Sequence, residues 1–75
     1  MDTTALDAAA QRYRRAEAAL DKARAELTAE AVACLRSTDE RGAQAEVARR
    51  IGWSRERVRQ IMAAADAEAM APAAE

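Results

Sequence analysis

Neither glycine nor proline occurs before Gly42, and the rest of the chain holds only Gly52 and Pro72 of these types. They are the residues that most readily end a helix, one through backbone freedom, the other through a missing donor and a ring clash. Much of the interval is alanine, arginine and glutamate, all strong helix formers. The fold expected is therefore all-α, with breaks beside the two glycines. Thr3 or Thr4 can cap a first helix starting near Ala5, with Asp7 in its first turn, and nothing need stop it before about Arg36. Thr28 offers one alternative, a fresh cap for a helix beginning near Ala29. Residues 37–43 read as a polar loop, 44–70 as a second helical unit, and 71–75 as a disordered tail.

The first helix carries a heptad pattern. Leu6, Tyr13, Leu20, Leu27 and Cys34 recur every seven positions, followed three residues later by Ala9, Ala16, Ala23 and Glu30. This is one large and one small layer per heptad, and small layers let two helices approach closely, more often in antiparallel pairs. Arg12, Glu17, Arg24 and Glu26 flank the seam. Some 32 helical residues span roughly 48 Å at about 1.5 Å each, about twice what a 20-residue unit can cover. Leu27, Val32 and Leu35 are expected to pack on the second unit as the third helix of a core. Leu6, Ala9, Tyr13, Ala16, Leu20 and Ala23 are then left as the seam of a dimeric coiled coil, and a homodimer is expected. The bland alternative is an exposed single helix held by alanine propensity and i,i+4 pairs.

Residues 44–62, QAEVARRIGWSRERVRQIM, read as two short helices around a tight turn. Val47, Ala48 and Ile51 share one face of the first. Gly52 supplies the positive dihedral of the turn. Ser54 is a good N-cap, and Val58, Ile61, Met62 and Ala65 give the second helix its own apolar face. This pattern resembles the helix-turn-helix DNA-binding motif, in which a small residue and a glycine four positions on, here Ala48 and Gly52, let two helices cross closely. Within that class, residues 54–61, SRERVRQI, are similar to the recognition helix in region 4 of primary bacterial sigma factors. Trp53 departs from the pattern, where a smaller aliphatic residue is usual, and is expected to pack under the turn. The rest of the chain does not resemble a sigma factor, so the resemblance implies a docking mode and no polymerase role.

Charge agrees with that reading. The chain has 75 residues and a net charge of −1, yet residues 41–62 hold six arginines against two glutamates, while both flanks are acidic. A binder of anions is expected there and nowhere else. In a helix-turn-helix the second helix enters the major groove with its N-terminal residues on the base edges. Arg55 can give a bidentate pair to guanine, Glu56 can accept from a cytosine amine and Gln60 can pair with adenine. The resemblance implies DNA contact for Arg55, Glu56, Arg59 and Gln60, and Ser54 completes the base-contacting set. Arg41, Gln44, Arg49, Arg50 and Arg57 are candidates for phosphate contacts, which set register and affinity.

Other chemistry finds little support. The chain has no histidine, the commonest general base, and no glycine-rich phosphate loop. Cys34 is expected to be a packed, inert thiol, and Glu26 with Glu30 does not make a metal site. No enzyme, cofactor, metal or small-molecule ligand is expected. One cysteine and no long apolar run suggest a cytoplasmic protein without a membrane span. The expected function is a sequence-specific double-stranded DNA-binding transcriptional regulator, a homodimer, most simply a repressor acting by occlusion. The alanine and arginine bias suggests a high-GC bacterium, its phage or its plasmid. The alternatives are a helical module binding another protein, such as part of the transcription machinery, or a nonspecific nucleoid-type binder. Glu56 speaks against the last, because a carboxylate near phosphates lowers affinity unless it reads a base.

Overall fold

The structure is a computed structural model that describes residues 1–70, so the expected tail at 71–75 lies outside the described residues. Three helices follow one another: α1 (Thr4–Arg36), α2 (Ala43–Ile51) and α3 (Arg55–Met70). α1 runs unbroken through Thr28, so the alternative cap there is not used. No glycine or proline lies in its interior, and nothing on the sequence side forces a break at Thr28. Its start lies one residue earlier than expected. The Asp2 carboxylate, rather than a threonine hydroxyl, takes the free backbone N–H of Thr4 at 2.9 Å.

α1 ends at Ser37. The Ser37 N–H donates to the carbonyls of Ala33 and Cys34, and its hydroxyl donates to Cys34 O at 2.7 Å. This satisfies carbonyls that the last turn leaves without helical partners. Gly42 then adopts φ 81° and stands immediately before α2, which begins at Ala43. Gly52 at φ 75° closes α2, its N–H returning to Ala48 O at 2.9 Å.

The core is small and lies at the C-terminal end of α1. Ala31, Val47, Ala48 and Val58 are buried, with Val58 only 1% exposed. Thr28, Val32, Leu35, Ile51, Trp53, Ile61 and Met62 are half-buried around them. Thr28, Ala31, Val32 and Leu35 fall at i, i+3, i+4 and i+7, so α1 faces the other helices with one stripe. That stripe is turned away from the heptad line. Leu27 therefore sits at the rim of the core and not within it, 36% exposed, and Cys34 is exposed where a packed thiol was expected. Two of the four buried residues, Ala31 and Ala48, are alanines, one each from α1 and α2.

N-terminal to Arg24, α1 projects free of α2 and α3, and the longest dimension of the molecule is 60 Å. Leu6, Tyr13 and Leu20 are 66%, 65% and 51% exposed along it. The second half of α3 diverges from α1 and leaves an open groove lined by Ala25, Ala29, Val32, Ala65 and Ala69. Arg36 bridges its edge to Asp66 at 3.3 Å.

Candidate nucleic-acid interface

The turn between α2 and α3 is set by two residues. Gly52 provides the left-handed backbone, and a Cβ placed on it would meet no atom within 4 Å. The expected steric reason for glycine is thus corrected: the position needs its dihedral, and the close crossing of the helices comes from Ala48, 3% exposed. Ser54 caps α3, its Oγ accepting the backbone N–H of Arg57 at 3.1 Å. With one lone pair engaged, Ser54 retains its hydroxyl proton and a second lone pair for an outside partner.

Residues on α3 advance by about 100° each, which turns Glu56, Arg59 and Gln60 directly away from Val58, Ile61, Met62 and Ala65. Arg55 and Arg57 lie on the two flanks. All five are exposed, and Ala63 and Ala67 continue the outer face beyond them. The hydrogen-bonding groups are thereby confined to the first two turns of the helix, next to the turn, where a groove-bound helix is deepest.

Three of these side chains already touch. Arg59 Nε donates to Glu56 Oε2 at 2.9 Å, its terminal nitrogen reaches the other oxygen, and the Gln60 amide donates to Glu56 at 3.4 Å. The hydrogen bond from Arg59 is the main reason the Glu56 carboxyl is held below the usual carboxylate range, and Glu56 in turn raises Arg59. A matching cluster closes α2. Glu46 accepts from Arg49 Nε at 3.0 Å and from Arg50 Nε at 3.0 Å. Its carboxyl is lowered in the same way, chiefly by Arg49. Every member is solvated, so an arginine can exchange its carboxylate for a phosphate or a base edge at little loss.

The remaining candidates sit around this surface. Arg41 is exposed in the loop before α2, and Gln44 is exposed in the first turn of α2. Trp53 is half-buried, and the Arg57 guanidinium lies over its ring, 3.8 Å from the centroid. This cation–π contact fixes the direction of one flanking arginine. The sequence had placed Trp53 under the turn without this partner; the spacing of four residues into the next helix was the available signal. The Glu46 and Glu56 clusters were likewise legible as i,i+3 and i,i+4 pairs. Among the described residues no group of three His, Cys, Asp or Glu side chains could hold a metal ion, and no helix is long and apolar enough to cross a membrane.

The family model for sigma-70, region 4 matches residues 25–65, more than half of the chain. No match was found among curated proteins or among solved structures. The matched span begins at residue 25, three residues before the stripe of α1 that packs on the core, and takes in α2, the turn and the first two-thirds of α3. That region is a helix-turn-helix DNA-binding unit of the transcription apparatus and not an enzyme family. Its match covers the geometry described above, and the chain belongs to the sigma-70 region 4 family.

Proposed function

We propose that this protein is a sequence-specific, double-stranded DNA-binding regulator of transcription that works as a homodimer, with α3 in the major groove. The observation that carries the reading is the confinement of Arg55, Glu56, Arg59 and Gln60 to the exposed first turns of α3, beside the turn. Glu56, Arg59 and Gln60, with Arg55 and the Ser54 hydroxyl, read base edges. Arg41, Gln44, Arg49, Arg50 and Arg57 take phosphates and fix the register. Occlusion of a promoter is the simplest mode, which makes repression the expected outcome in the cell.

Selection from a random duplex library, followed by sequencing of the bound DNA, tests this directly. An enriched motif is expected, and no enrichment at low salt would overturn the reading. Role assignment follows from two variants. Glu56→Ala relaxes sequence preference, whereas Arg50→Ala weakens all sequences alike and lowers the salt slope of log K by about 1. Equal effects of both on cognate and random DNA would sink the division of labour. A second reading has one observation in its favour: the exposed Leu6, Tyr13 and Leu20 on α1 would also serve a module that binds a different protein. Such binding would be insensitive to salt, and dimerisation would be absent.

A further inference from the structure

The exposed side of α1 alternates in size. Leu6, Tyr13 and Leu20 project from it, and Ala9, Ala16 and Ala23 leave gaps between them, all six exposed. We propose that a second copy of this chain docks antiparallel along this stripe, each large residue seated on an alanine of the partner. The inference rests on the dimer reading above and adds its direction and register.

In one register the fit is complete. Leu6 meets the partner's Ala23, Ala9 meets the partner's Leu20, and Tyr13 meets the partner's Ala16; the two-fold axis repeats these contacts. Every layer then holds one large and one small side chain, so the axes stay at one close separation and no layer is empty or crowded. A slip of one heptad towards the C-terminus sets Leu6 against the partner's Glu30 and brings a charge into the seam. The opposite slip leaves part of the stripe uncovered.

A parallel pairing fits poorly. It stacks Leu6, Tyr13 and Leu20 on their own copies and leaves alanine on alanine between them, so the large layers hold the small ones apart. It also sets Glu30 against its own copy, two like charges on the seam. Its one gain is an exposed Arg12 to Glu17 pair, of a kind that contributes little. The antiparallel arrangement instead lays opposite helix dipoles side by side. The paired stretch runs from Leu6 to Ala23, and the stripe that holds α2 and α3 begins at Thr28. Partner and core therefore use different stretches of the same helix.

The two DNA-reading units then stand at opposite ends of the pair, roughly 50 Å apart along it at about 1.5 Å per residue. That exceeds one DNA turn of about 34–36 Å. A parallel pair would hold them side by side.

Cys34 is the sole cysteine and is exposed, and it lies outside the paired stretch Leu6–Ala23. A nitroxide on Cys34 of the full chain, read by pulsed dipolar spectroscopy, is expected to report roughly 60 Å between labels. A distance near 10 Å, or ready Cys34 to Cys34 disulfide formation, would overturn the inference in favour of a parallel pair. Ala16→Leu gives a result of opposite sign in the two cases. It crowds Tyr13 in the antiparallel pair, raising the dimer Kd at least tenfold with helix content unchanged. In a parallel pair it fills an empty layer and tightens the dimer, which would overturn the inference. A chain that stays monomeric by sedimentation at every concentration, yet binds a single half-site, removes the dimer and leaves DNA recognition standing. A 60 Å distance with no sequence preference for DNA does the reverse.

Discussion

The two ends of this molecule are written in nearly the same alphabet and behave in opposite ways. From Thr28 onwards, large and small apolar residues from three helices converge, and Val58 is almost fully enclosed. Before Leu27, side chains as large as Leu6 and Tyr13 stand two-thirds exposed on a helix with no neighbour. Composition does not separate the two regions, since alanine, arginine and glutamate dominate both. What separates them is whether the chain turns back. Two glycines with left-handed backbone, Gly42 and Gly52, fold three helices onto one point, and no such residue exists earlier. A helix without a turn has nothing of its own to pack against, however apolar its stripe.

The contrast can be broken most strongly at Val58. Val58→Ala removes the best-enclosed side chain and should destabilise the C-terminal unit by about 2–3 kcal/mol, a large share of what a domain this small holds. Thermal melts followed by circular dichroism should show the core transition lowered by roughly 10 °C or more. Gly52→Ala tests the turn. With open space around the added methyl, the loss comes only from forcing a left-handed dihedral, about 1–2 kcal/mol, and chemical denaturation should return that value. A loss several times larger would mean that a steric contact also operates there.

Leu20→Ala is the counterpart on the free stretch of α1. It should change the stability of the dilute monomer by no more than about 0.5 kcal/mol while weakening self-association. A loss comparable to that of Val58→Ala would show that the free stretch is packed within one chain after all. The smallest effect is that of pH. Glu46 and Glu56 have folded-state values lowered chiefly by hydrogen bonds from Arg49 and Arg59. Their contribution is thus complete above the ordinary carboxylate range and is lost as pH falls through the lowered values. The melting midpoint should be flat from about pH 8 to 5 and decline only below about pH 4.

Most of the fold was legible because periodicity and the two glycines are local signals. The helix boundaries to within a residue, the cap at Ser54, and the apolar positions of α2 and α3 all follow from neighbours within four residues. The azimuth of the core on α1 was less accessible. The heptad line points through Leu27 and Cys34, but the core takes Thr28, Ala31, Val32 and Leu35, about one position round. Arg36 and Asp66, thirty residues apart, gave no sequence signal of their pairing. At the candidate interface, the residues that share the outer face of α3 were predictable from spacing alone. The four-residue spacing brings Arg57 within reach of Trp53, but that the guanidinium lies over the ring depends on the entry angle of α3, which the folded turn defines.

The continuity of α1 makes it an angular gauge as well as a strut. Because no kink intervenes between Leu20 and Val32, the direction of the exposed stripe is phase-locked to the direction of α3. One residue inserted between them would rotate the outer face of α3 by about 100° about the axis of α1, and seven would nearly restore it. In this chain a length polymorphism within the helix is therefore a change of heading, and only whole heptads leave the bearing intact.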